Sequence, residues 1–126
     1  MLEIFALPYF ASMERIVLGP NNRKERVLLH RSTDQGQSWQ LVDSIVGTSD
    51  IVDPVLAIDD AGHLYLVVMR LNQGSGFTVD LDLYKSEDDG QSWSWASSPN
   101  EASGIADYPQ LLAFGDGQLL LTFSRF

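Results

Sequence analysis

The sequence predicts an all-β fold of antiparallel four-stranded sheets, repeated along the chain. Three observations carry this. Short apolar or alternating segments are separated by turn chemistry at close intervals. No stretch shows convincing helical periodicity. Two patterns also recur at nearly one spacing. Ser32, Asp34, Gly36 and Trp39 return 54 residues later as Ser86, Asp88, Gly90 and Trp93. "DPVLAIDDAGHLYLVVMR" (residues 53–70) resembles "DYPQLLAFGDGQLLLTFSR" (residues 107–125), pairing Pro54 with Pro109, Gly62 with Gly117 and Arg70 with Arg125 at an offset of 55.

The elements follow in order. "MLEIFALPYFASM" is apolar, lacks a basic n-region and carries Glu3, so it reads as a strand rather than a signal peptide. "LGPNNRKE" reads as a hairpin turn inside an irregular first copy, with the basic "RKER" (residues 23–26) as a solvated turn. In the second copy, residues 54–58 form a short first strand closed by the turn "DDAG". Residues 63–69, "HLYLVVM", suit a second strand buried on both faces. "LNQGSG" is a loop. In residues 77–86, Phe77, Val79, Leu81 and Leu83 alternate with Thr78, Asp80, Asp82 and Tyr84, the period of a half-solvated third strand. An acidic loop follows, then a fourth strand near residues 93–96.

Four strands in about 50 residues is the pattern of a propeller blade. On this reading residues 1–50 are a partial blade with the first acidic loop, 51–104 a complete blade with the second, and 105–126 the start of a third. A propeller needs roughly four to eight blades to close. The chain is therefore expected to be a piece of a longer propeller, or else to complete a ring by homo-oligomerisation. The former is favoured because the last copy stops inside its second strand.

The acidic loop, Ser-x-Asp-x-Gly-x-Ser-Trp, resembles the Asp-box, or bacterial neuraminidase repeat, of the sialidase-like propellers. Both copies match at each defining position, Ser32, Asp34, Gly36, Ser38 and Trp39, then Ser86, Asp88, Gly90, Ser92 and Trp93. The residue types fit a turn device. Glycine permits a positive φ in a tight hairpin. The aspartate and serine side chains can bond to turn backbone, and the tryptophan covers apolar neighbours while its N–H takes a partner. The resemblance agrees, since Asp-boxes lie on the propeller face away from the active site. A calcium loop is the competing use. It would need an acid twelve positions along and flanking helices. Counting from Ser32 reaches Asp43, counting from Ser86 reaches Ser97, and no helix is expected. No metal and no cofactor are expected.

In a four-stranded blade, the loops before strand one and after strand two share the central mouth, where ligands bind. Asp50, Asp53, Asp107 and Tyr108 fall at strand-one starts, and Arg70 and Arg125 at strand-two ends. Asp53, Arg70, Asp107, Tyr108 and Arg125 are thus the candidate ligand-binding residues. An arginine fork suits a carboxylate or phosphate, and an aspartate can serve as general acid or base. The structural alternative, which repetition favours, is that each arginine pairs with a nearby aspartate. The resemblance implies an arginine triad for a sugar carboxylate, a Tyr/Glu nucleophile and an Asp acid/base in true sialidases, with an Arg-Ile-Pro motif before the first Asp-box. Arg15-Ile16-Val17 lacks that proline and stands too near Ser32. Tyr9, Tyr65, Tyr84 and Tyr108 include no obvious nucleophile. His30 and His63 read as packed or surface strand residues, and of Trp93 and Trp95 one can be exposed.

Composition narrows the partners. The chain has 126 residues and a net charge of −9, with no cysteine. Residues 1–31 carry +2 and residues 32–126 carry −11. Nucleic acid would be repelled by most of this surface. Disulfides and thiolate metal sites are excluded, and no apolar run reaches the ~18 residues of a membrane span. The expected function is glycan recognition by an Asp-box propeller, with exo-sialidase-like hydrolysis as the best-known chemistry of the group. The alternative is a non-catalytic propeller that binds a protein or polysaccharide. Family resemblance implies an extracellular or periplasmic location.

Overall fold

The structure, a computed structural model, describes residues 9–20, 22–45, 51–73, 76–99 and 104–126. Residues 1–8 of the expected first strand, Asp50, and Gly74 and Ser75 of the expected loop lie outside these. All regular elements among the described residues are strands, namely β1 (Tyr9–Gly19), β2 (Asn22–Arg31), β3 (Gln40–Ile45), β4 (Ile51–Ile58), β5 (Leu64–Gln73), β6 (Phe77–Ser86), β7 (Ser94–Ser97), β8 (Ala106–Phe114) and β9 (Gln118–Arg125). They form three antiparallel sheets in strict chain order: β1-β2-β3, β4-β5-β6-β7 and β8-β9. None of the described residues forms a helix able to cross a membrane.

The second sheet lies between the other two, and β5 explains how. Leu64 to Met69 are all buried. Side chains alternate across a strand, so Leu66 and Val68 join Val27, Leu29, Ile45 and Ile51 in one core. Val67 and Met69 point the other way and join Val79, Leu81 and Ala106 in a second core, with Leu111 and Leu121 packed against it. A strand that feeds two cores has no polar face, hence its continuous apolar run.

Three expectations need correction. The basic "RKER" is not a turn: it lies within β2, and the connection from β1 is confined to Gly19–Asn22. Its charges pair across the hairpin, where Arg26 faces Glu14 and Glu25 faces Arg15 in register, with N–O distances of 2.5 and 2.7 Å. Opposite charges on directly paired residues stabilise a strand pair as well as a turn would. The first strand of the second sheet starts at Ile51 rather than residue 54, because a bulge between Val52 and Val55 absorbs the Asp-Pro step. Asp82 is buried, not solvated. It accepts from Arg70 Nε at 2.8 Å and from Ser98 Oγ at 2.6 Å, which removes the penalty of burying a carboxylate.

The outer faces of the end sheets remain apolar. Leu112, Phe114 and Leu120 are exposed on the side of the third sheet away from Leu111 and Leu121, and Phe10 and Leu41 on the side of the first away from Ala11 and Val27.

Candidate functional site

The two acidic turns have one geometry. Ser32 Oγ donates to Asp34 Oδ1 at 2.8 Å and accepts from Gly36 N–H at 2.8 Å. Asp34 accepts from Ser38 through its N–H (2.8 Å) and its hydroxyl (2.5 Å). Trp39 Nε1 closes the turn on Gly36 O at 3.1 Å. Ser86, Asp88, Gly90, Ser92 and Trp93 repeat these bonds one for one. Gly36 and Gly90 have φ of 87° and 83°, as the hairpin requires. Hydrogen bonds from Ser38 hydroxyl and amide, then from Ser32, hold the exposed Asp34 carboxyl down at about 2, and the same donors lower Asp88. Both carboxylate oxygens of the aspartate are thus occupied by donors of the turn itself. Trp93 packs against the first core. Trp39 is more than a third exposed and meets Phe10 edge-on at 4.8 Å. Trp95 is 59% exposed.

The opposite end of the sheets holds the candidate site. Leu64 pairs with Ser86 at the acidic-turn end of the β5–β6 pair, while Arg70 pairs with Asp80 and Ile51 near the other. There a cavity of about 360 Å3 opens between all three sheets. It is lined by residues 11–13 of β1, 53–55 of β4, Met69 of β5 and 107–109 of β8. Asp53, Asp107 and Tyr108 therefore come together, as the strand-one reading expects. Asp53 and Tyr108 occupy equivalent places 55 residues apart. Each precedes a proline, sits in a bulge and has a left-handed backbone, with φ of 51° and 53°. That conformation is rare for a non-glycine residue and rarer before proline. Tyr108 is 69% exposed. Its N–H bonds to Asp107 Oδ1 at 2.8 Å, and Asp53 N–H bonds to Met13 Sδ at 3.0 Å.

Arg70 and Arg125 reach the same end of their sheets, opposite the equivalent residues Ile51 and Ala106, but neither lines the cavity. Arg70 is held by Asp82 (Nε–Oδ2 2.8 Å), Asp80 (3.2 Å) and Asn72 (2.8 Å). The first sheet has the same cross-strand ion pair with its signs reversed. Arg26 and Asp80 each stand six residues before the first serine of an acidic turn, Ser32 or Ser86, facing Glu14 and Arg70. A position that keeps an ion pair while exchanging the charges serves the sheet.

Sequence reasoning missed two groups. Met13 and Met69 line the cavity from equivalent places, each facing the residue five positions before the first serine of an acidic turn, Ser32 or Ser86. Only the strand register exposes that equivalence, because the first hairpin hides it. The second group centres on Asp59. Its Oδ1 accepts from the N–H groups of Ala61 (3.0 Å) and His63 (2.9 Å). Its Oδ2 accepts from Tyr65 OH (2.9 Å) and Gly117 N–H (2.9 Å) and faces His63 Nδ1 (3.1 Å). Burial raises its pKa, but backbone bonds from His63 and Gly117 and side-chain bonds from Tyr65 and His63 outweigh this and bring it to about 2. Beside it, Asp60 exchanges two bonds with Gly115, at 2.9 and 2.6 Å. These turns join the second sheet to the third at the end that carries the acidic turns. His63 thus belongs to a turn rather than a strand. Asp59, His63 and Asp116 lie within 4.8 Å of one another, but Asp59 is filled by N–H and O–H donors, so the cluster works as a hydrogen-bond hub.

Searches against family models, curated proteins and solved structures find no match to this chain.

Proposed function

We propose that this chain is part of an Asp-box β-propeller in which each sheet is a blade, and that it recognises a glycan in the cavity lined by Asp53, Asp107 and Tyr108. One observation carries the reading. Equivalent left-handed bulges of neighbouring sheets present their side chains to one cavity, at the end away from both Asp-box turns. Carboxylates accept hydrogen bonds from sugar hydroxyls, and an exposed tyrosine offers a flat apolar face with a polar tip. Exposed Leu112, Phe114 and Leu120 on the outer side of the third sheet, and Phe10 and Leu41 on that of the first, support a stack that continues.

Hydrolysis in the manner of a sialidase needs guanidinium groups free to hold a sugar carboxylate. Arg70 is committed to Asp82, Asp80 and Asn72, which favours recognition without catalysis, of a polysaccharide or a glycosylated protein. Calorimetric titration of the full chain with neutral, acidic and amino oligosaccharides tests the binding, and fluorogenic glycosides, sialosides included, test the hydrolysis. Saturable binding lost in Tyr108→Ala supports the reading. Sialoside turnover would restore catalysis as the leading function, and failure of every oligosaccharide to bind would refute glycan recognition.

A further inference from the structure

Building on the glycan reading, we propose that this cavity selects sugars that carry a protonated amine over acidic sugars, with Asp53 and Asp107 as the carboxylates that receive the charge. The first argument is electrostatic. Two carboxylates line the cavity and no lysine, arginine or histidine does. Among the described residues, the cations with side-chain ion pairs find them elsewhere: Arg15 with Glu25, Arg26 with Glu14, Arg70 with Asp80 and Asp82, and Lys85 with Glu87. The chain as a whole carries −9. A concave site lined by one sign of charge, on a molecule of the same sign, concentrates counter-charged ligands and repels like-charged ones. A sialic or uronic acid would meet two carboxylates with no guanidinium to offset them.

The second argument is shape and polarity. The floor is apolar, with Met13, Met69, Val55 and the two prolines supplying thioether and ring surface. Soft methionine side chains adapt to irregular C–H surfaces. The Tyr108 ring can stack on a pyranose or lie against an ammonium group. At about 360 Å3 the cavity falls in the range of small-ligand sites, roughly 300–1,000 Å3. An amine provides up to three N–H donors for carboxylates that arrive from two different sheets.

The test titrates the full chain, at about pH 6 so that amines are protonated, with three probes. These are a β-1,4-glucosamine tetrasaccharide, its fully N-acetylated counterpart and sialyllactose. The glucosamine probe is expected to bind several-fold more tightly than the acetylated one, with sialyllactose weakest. Asp53→Asn and Asp107→Asn should each weaken glucosamine binding about two- to fivefold, the range of a solvent-exposed ion pair, and weaken the acetylated probe less, so that the preference between the two narrows. Asparagine tolerates the left-handed backbone at position 53 and can still accept the Tyr108 N–H at position 107, so unfolding midpoints should stay unchanged in both. The preference should also collapse in about 0.5 M salt. Equal or tighter binding of the acetylated or sialylated probe would overturn the amine preference and leave glycan recognition standing. An amine preference that survives in both variants would place the effect on the general acidic surface and overturn the site. Failure of all three to bind would remove the glycan reading and this inference together.

Discussion

Replacing Asp59 by asparagine should destabilise the protein by about 3 kcal/mol. Each carboxylate oxygen of Asp59 accepts main-chain N–H groups: Ala61 and His63 on one, Gly117 on the other. An asparagine must put its NH2 at one of these places. Turned towards Gly117, it faces that N–H donor to donor, although the Tyr65 hydroxyl and the His63 ring can reorient to accept. Turned the other way, it strands two main-chain N–H groups. The cheaper arrangement still loses one bond to a charged acceptor, about 1.5–3 kcal/mol, and weakens the remainder from charged to neutral. For a chain of this size the melting temperature should fall by roughly 10 °C. The acid limb adds a second readout. The folded pKa of Asp59, about 2, lies below its ordinary value of 3.8. Its contribution is therefore complete above the unfolded pKa and is lost as pH falls towards 2. Asp34 and Asp88 are also lowered and stay in the variant, so the difference between the two proteins isolates Asp59. Urea unfolding followed by tryptophan fluorescence measures both effects. A loss below about 0.5 kcal/mol, or an unchanged acid limb, would refute the hub.

Two further outcomes are expected. Arg70→Ala leaves the buried Asp82 with only Ser98 as its side-chain partner and should cost about 3 kcal/mol, the low end for breaking a buried pair; wild-type stability in urea would contradict the sheet role of Arg70. Gly104→Ala combines a φ of +84° with a Cβ only 2.6 Å from the Phe126 carbonyl oxygen, so it should lose about 2–3 kcal/mol, whereas Gly62→Ala, at +89° with nothing within 4 Å, should lose only about 1 kcal/mol; equal thermal shifts for the pair would show that backbone strain alone decides.

Strand order was legible because the sequence repeats itself. The repeated acidic turn marks the β6–β7 connection and, counted back, the β2–β3 connection, and β6 spans residues 77–86 as its alternation predicts. Polar contacts between neighbouring sheets were not legible. "DDAG" reads as a turn from its own composition, and nothing local shows that Asp59 and Asp60 reach Gly115 and Gly117 more than fifty residues away. Asp82 misleads for a related reason. Alternation places it on a polar face, but that face is covered by Arg70 and Ser98. The cavity was half legible: Asp53, Asp107 and Tyr108 follow from strand starts, while Met13 and Met69 emerge only from cross-strand register.

The bulges at Asp53 and Tyr108 have an evolutionary consequence. Backbone torsions at the two places differ by only two degrees in φ, yet one carries a small acid and the other a large aromatic ring. Main-chain form there is imposed by the strand pairing around the bulge, against the preference of a residue before proline, and not by the side chain it displays. The side chains displayed at these places can accordingly change while the sheets keep their register. The permitted alphabet is restricted, because β-branched residues tolerate a left-handed backbone poorly. Duplicated units built this way can diverge in specificity one rim position at a time, without passing through unfolded ancestors.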